Sequence, residues 1–134
     1  MTELDILNDD PVRPHVQKHG LGKQVYVLDD LSAVICICYC DKVPRTEQQL
    51  EDYKNIEGNI AVAYTVWSNQ KGAGQKIIAE IRNKFIEDNS VDRLVTMSPK
   101  TEMAKRFHTK NGAVLLYDNV ESYNFEYQSV QTKI

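Results

Sequence analysis

The chain has 134 residues and a mass of 15.4 kDa, which gives it room for one domain and one hydrophobic core. Its net charge of -3 and pI near 5.6, with no run of Lys and Arg, argue against a dedicated nucleic-acid binder. The longest apolar stretch, Ala33 to Tyr39, is far too short for a bilayer, and the polar, acidic opening from Met1 to Asp10 is no signal segment, so a soluble, cytoplasmic protein without a membrane partner is expected.

Residues 1–22 show little periodicity and hold Pro11 and Pro14; they read as irregular, with one short strand near Val12. Gln24 to Leu28 reads as a strand and Asp29-Asp30-Leu31-Ser32 as a turn. Ala33 to Cys40 follows as a second strand, apolar on both faces and therefore central, and the two make an antiparallel hairpin. Pro44 ends it, and Thr46-Glu47-Gln48-Gln49 matches a capping box that predicts a short helix from Glu47 to Lys54. Gly58-Asn59 breaks that helix, and Ile60 to Trp67 is another β-favouring run.

Asn69-Gln70-Lys71-Gly72-Ala73-Gly74 comes next, then Ile77, Ile78, Ile81, Phe85 and Ile86 at helical spacing, closed by Asp88-Asn89-Ser90. Arg93 to Met97 predicts a short strand. Ser98-Pro99 offers a cap and first-turn proline for the next helix, with Thr101-Glu102 as a competing start, and Asn111-Gly112 ends it after Lys110. Ala113–Tyr117 and Tyr123–Gln128 are the last predicted strands. Two strand–helix–strand units require parallel pairing in the middle of a mixed sheet, so the class is α/β or α+β with helices packed on the sheet.

Cys36, Cys38 and Cys40 alternate, which places all three on one strand face. Their Cα atoms then lie about 6.6 Å apart with parallel Cα–Cβ vectors, so disulfides among them are not expected. No Cys-x-x-Cys or neighbouring His supplies metal-ligand spacing, so no metal is expected and the cysteines read as small buried hydrophobes in a reducing compartment.

The loop with Gly72 and Gly74 has a direct physical use. Glycine permits positive φ and close backbone approach to an anion, and the unpaired N–H groups at a helix start point at it. A phosphate or pyrophosphate is the natural occupant, with Lys71 at the rim; the plain alternative is a turn. A Walker A loop needs Gly-Lys-Ser/Thr, whereas Gln75 follows Gly74, and a dinucleotide fingerprint lacks its third glycine here. The opening hairpin and the two closing strands speak against a flavodoxin-like domain.

Asn69 to Gly74 resembles the Gln/Arg-x-x-Gly-x-Gly/Ala loop of the GNAT acetyltransferases, placed as in that family between its fourth strand and third helix. Ala104-Lys105-Arg106-Phe107-His108-Thr109-Lys110-Asn111-Gly112-Ala113 resembles the family's second signature. The resemblance covers Gln24 to the end. It implies a GNAT-like, mostly antiparallel mixed sheet with a central parallel pair, helices on both faces and a shortened N-terminal part.

By that resemblance the co-substrate is acetyl-CoA and the acceptor is an amine of a small molecule or protein. The backbone at Tyr64, Thr65 and Val66 is expected to hold the pantetheine arm, and the N–H groups of Gln70, Lys71, Gly72, Ala73, Gly74 and Gln75 the pyrophosphate. Thr101 stands where the family commonly carries a cofactor-contacting Asn. His108 takes the position of the family's Tyr, the donor to the leaving thiolate, and Glu57 is the expected base. Ala113 replaces an aromatic residue, and the family's first helices are compressed into the first ~20 residues. A second subunit, in a homodimer, is therefore expected to complete the acceptor side. The competing reading is a GNAT-fold protein without catalysis, in a binding or structural role, as in small phage virion proteins whose ending is similar to Phe107–Val114.

Overall fold

The computed structural model describes residues 10–127. Strands β1 (Lys23–Val27) and β2 (Ala33–Cys40) form the opening hairpin, with Leu31 at φ 61° in its turn. Helix α1 (Glu47–Asp52) starts at Thr46, whose Oγ1 accepts from the Gln49 N–H at 3.1 Å. It stops short of the expected Lys54, because Lys54 is drawn into a β-bridge with Cys40.

Strand β3 (Ile60–Ser68) leads into α2 (Ala73–Asp88), which Asn89 ends in the left-handed region. The expected strand from Arg93 to Met97 divides into β4 (Arg93–Thr96) and β5 (Ser98–Pro99). Ser98 and Pro99 therefore pair with β7 instead of capping the next helix. Helix α3 (Glu102–Lys110) uses the competing start, with Thr101 Oγ1 accepting from the Ala104 N–H at 3.1 Å. Strands β6 (Ala113–Asp118) and β7 (Ser122–Tyr127) follow; the expected end at Gln128 lies outside the described residues. Val12 lies in a bend, not a strand; the Asp10 carboxylate takes its N–H, so no ladder forms there.

The seven strands form one sheet in the order β1-β2-β3-β4-β7-β5, with β6 beside β7. Among the described residues only β3 and β4 run parallel, as the strand–helix–strand connection demands, and every other pair is antiparallel. One face packs Ile35, Ile37, Ala61 and Leu94 against Ile77, Ile81 and Phe85 of α2. The opposite face carries the cysteine row, Val62 and Val95 against Leu50 of α1. All three cysteines are fully buried and unpaired, with Cys38 and Cys40 Sγ atoms 3.9 Å apart. The described residues contain no helix long and apolar enough to cross a membrane.

One irregularity positions the site. Cys36 pairs with Thr65 and Ile37 with Ala63, so Tyr64 is an extra residue in β3. Before this bulge, odd positions Ala61 and Ala63 face α2; after it the even Val66 does, and the odd Trp67 joins the other face. The bulge thus inverts the inside–outside order of the second half of β3 and frees the Tyr64 carbonyl from the ladder.

Candidate functional site

The central parallel pair separates at the bulge. β3 and β4 stay in register only from Ile60/Arg93 to Ala63/Thr96. The Met97 N–H makes one more bond, to Ala63 O at 2.9 Å, and the chain then swings into β5 beside β7. Thr65 to Ser68 keep β2 on one side and have no ladder partner on the other. A cleft of about 300 Å³ fills that gap, walled by Thr65, Val66 and Trp67 on one side and Ser98 and Pro99 on the other, with Phe107 and His108 of α3 above it. An extended polar chain placed there meets a strand edge with free backbone donors and acceptors.

Gly74, at the start of α2, lines the same cleft. Gly72 is its N-cap at φ 84°, and no side chain caps the helix. The first i→i−4 bond runs from Lys76 N to Gly72 O at 3.1 Å, so the N–H groups of Gly74 and Gln75 have no partner within the helix. The first turn carries no acidic residue. This helix end suits an anion, and exposed Lys71 adds positive charge beside it.

The fork is held by Arg13, a residue that its own neighbourhood in the sequence does not mark. Its guanidinium donates from Nε to the bulged Tyr64 O at 2.8 Å and from Nη2 to Met97 O at 3.0 Å. Nη1 pairs with Glu47 Oε2 at 2.6 Å. It therefore satisfies the two carbonyls that lose ladder partners where the strands part. The segment bearing it is pinned by Asp10, whose Oδ1 accepts from the Val12 and Arg13 N–H groups and the Thr65 hydroxyl, while Oδ2 pairs with Lys18 at 3.0 Å. Burial works to raise the Asp10 pKa, but the Arg13 and Val12 N–H groups and Lys18 outweigh it and hold the carboxyl below its usual range.

No family model matches the sequence, and no curated protein matches it. Solved structures do. The loading GNATL domain of CurA from Lyngbya majuscula superposes with a TM-score of 0.61 at 13% identity, covering 81% of this chain and 76% of that one. A GNAT family acetyltransferase from Elizabethkingia anophelis, with acetyl-CoA bound, gives 0.56 at 9%, covering 94% and 88%. The PaiA N-acetyltransferase of Thermoplasma acidophilum, in complex with coenzyme A, gives 0.55 at 13% and covers 80% of this chain. The fold is that of the GNAT acetyltransferases. The chain spans 61% of the length of the Thermoplasma protein.

Within the GNAT fold the residues singled out from sequence separate into two groups. Tyr64, Thr65, Val66, Gly74, Thr101 and His108 all line the one cleft. Gln70, Lys71, Gly72, Ala73 and Gln75 surround the start of α2 at its edge. Thr101 spends its oxygen on capping α3, leaving its hydroxyl proton free to donate.

Glu57 is not brought to the cleft. It is exposed in the turn before β3, where its N–H is held by Asn55 Oδ1 at 2.9 Å. From Ile60 to Tyr64 alone the strand spans about 13 Å, so the carboxylate sits beyond the paired end of the fork.

His108 reaches the cleft but is only 5% exposed, its Nδ1 2.7 Å from the Tyr127 hydroxyl and its ring stacked on Phe125. Burial pushes its pKa down to about 4, so the ring is neutral at physiological pH. The folded pKa lies below the ordinary 6.5, so the unfolded chain binds the extra proton first. Stability from this group is complete above pH 6.5 and falls as the pH drops to about 4, by roughly 3 kcal/mol in all. Urea unfolding at pH 7 and pH 4.5 should show this loss in the wild type and a clearly smaller one in His108→Phe.

Proposed function

We propose that the chain binds acetyl-CoA in this cleft and transfers its acetyl group to an amine of a small molecule or protein. One observation carries the reading: a bulged strand edge without a partner and an uncapped helix N-terminus open on the same cleft. The first suits the two amides of a pantetheine arm, received by the backbone of Tyr64, Thr65 and Val66. The second suits a pyrophosphate, received by the N–H groups of Gly74 and Gln75 with Gln70, Lys71 and Gly72 around it, while the Ala73 N–H is spent on Gln70 O at 3.2 Å. Thr101 supplies a further hydroxyl donor. That the Elizabethkingia and Thermoplasma structures hold acetyl-CoA and coenzyme A supports the ligand class.

Acetyl-CoA supplies an acyl thioester, and the amine must lose a proton as it attacks. His108 presents a neutral ring at the cleft: in the tautomer in which Tyr127 donates to Nδ1, the Nε2 N–H offers the leaving sulfur a hydrogen bond without protonating it. A second reading, a GNAT-fold protein that binds without turnover, is favoured by the exposed, distant Glu57 and the low pKa of His108.

Calorimetric titration with acetyl-CoA tests the binding step, with saturable one-to-one binding expected; no heat at millimolar ligand removes both readings. Release of free thiol with a panel of primary amines then separates them. Turnover above the no-amine background supports the transferase, and binding without turnover supports the second reading.

A further inference from the structure

A second cavity of about 850 Å³ lies between the start of α1 and the β6–β7 loop, lined by Glu47, Asn119 and Glu121 among others. It adjoins the cleft at Met97, which lines both, and Arg13, which lines the second cavity, bonds the backbone of Tyr64, a residue that lines the first. The guanidinium is thus a buried cation between a cleft that suits an acyl donor and a cavity open to another molecule. Three of its five N–H donors are used, on Tyr64 O, Met97 O and Glu47. Its hydrogen-bonded carboxylate, Glu47, is 41% exposed and is shared with His15, whose Nε2 lies 2.6 Å from Glu47 Oε1. Asp10, the nearest other carboxylate on the same segment, is paired with Lys18.

We propose that Arg13 is a positioning and charge-compensating residue for acyl transfer, sitting at the junction of the two cavities and offsetting the charge on the departing thiolate. The inference rests on the acetyl-CoA reading above. In the step, the amine nitrogen bonds to the thioester carbonyl carbon, the C–S bond breaks, and sulfur leaves with the electron pair. The proton of the new ammonium passes to water. The thiolate needs either a proton or a nearby cation, and the His108 ring, neutral and engaged with Tyr127, is a weak proton source. Burial lowers the Arg13 pKa against the pull of Glu47, but a guanidinium starts so high that it is a cation at neutral pH and supplies the charge without proton transfer.

The test reads the thiol itself. Coenzyme A is bound to the full chain and its thiolate is titrated by ultraviolet absorbance. The wild type is expected to raise the acid dissociation constant of the bound thiol about tenfold or more over that of free coenzyme A, the size of a nearby opposite charge. Arg13→Gln should return it to the free value, and Arg13→Lys should keep most of the gain. Glu47→Gln removes the neutralising carboxylate while leaving the guanidinium and its carbonyl bonds in place, and should raise it further. His15, Lys18 and Asp10 are present in all four proteins, but Glu47→Gln also removes the carboxylate that lies 2.6 Å from His15 Nε2, so the Arg13 variants carry the main comparison. In turnover, Arg13→Gln should lower kcat by more than it weakens acetyl-CoA binding, and Arg13→Lys should restore part of kcat. A bound thiol that titrates as free coenzyme A in the wild type, or that ignores both Arg13→Gln and Glu47→Gln, overturns the proposal. If Arg13→Gln does not fold, Glu47→Gln alone decides it. Failure to bind coenzyme A would sink the cofactor reading as well, whereas binding with an unmoved thiol sinks this inference alone.

Discussion

Gly74→Val is expected to weaken acetyl-CoA binding at least a hundredfold, about 2.7 kcal/mol, while the protein still unfolds cooperatively. A Cβ at Gly74 lies 3.0 Å from Phe107 Cε1 and 3.2 Å from Cζ, tighter than ordinary contact. Those atoms are the far end of a half-buried ring at the cleft, so the ring gives way and does so towards the ligand space. The valine methyls also shield the N–H that the helix leaves free. Stability should fall by only about 1–2 kcal/mol, the usual cost of mild overpacking. Gly72→Ala is the control. No atom lies within 4 Å of its Cβ, but its φ of 84° makes any side chain strained. It should lose about 1 kcal/mol of stability and little affinity. Titration calorimetry and thermal unfolding of the two variants separate the effects. Unchanged affinity in Gly74→Val means that the loop is only a turn.

The sequence made the glycine loop legible because its chemistry is local: glycines two apart after an apolar run and before a helical period. It could not show that Gly74 also makes room for Phe107, since that contact joins two helices. The helices themselves were legible wherever caps and spacing agreed, as at Thr46 and along Ile77 to Phe85. Ser98-Pro99 misled because local cap chemistry there loses to pairing with Tyr123 and Ser122, a partner invisible to any short window. The bulge at Tyr64 left no trace, because β3 is apolar on both faces and a slip of one residue changes no hydrophobic pattern. Arg13 was missed for a related reason: it lies in an aperiodic, proline-containing segment, and its two carbonyl partners are 51 and 84 residues away. His108 lies on α3, where the helical spacing puts it, yet its charge state is set by burial against Phe125 and Tyr127 across the fold.

The wall of the fork opposite β3 depends on a buried amide. Asn124 of β7 has no exposed surface; its Nδ2 donates to Pro44 O and Thr96 O, each at 2.8 Å, and its Oδ1 accepts from Asn119 Nδ2 at 2.8 Å. It joins the end of β4 to the lead into α1 and the β6–β7 loop, the last two of which border the second cavity. Asn124→Leu keeps the branching and the number of heavy atoms but leaves two carbonyls without a donor, at about 1–3 kcal/mol each. A loss of about 4 kcal/mol is expected, a large share of a typical 5–15 kcal/mol. The urea midpoint should fall with an unchanged m-value, and a decrease under 1 kcal/mol would show that the amide is not holding the wall. Asn124→Asp sharpens the test through its sign. A carboxylate there faces two carbonyl oxygens, so its folded pKa rises above the unfolded value and the folded state prefers the protonated, donating form. Its stability should therefore increase as the pH drops from 7 towards the unfolded carboxyl pKa of about 4, opposite to the loss expected from His108 in the same window.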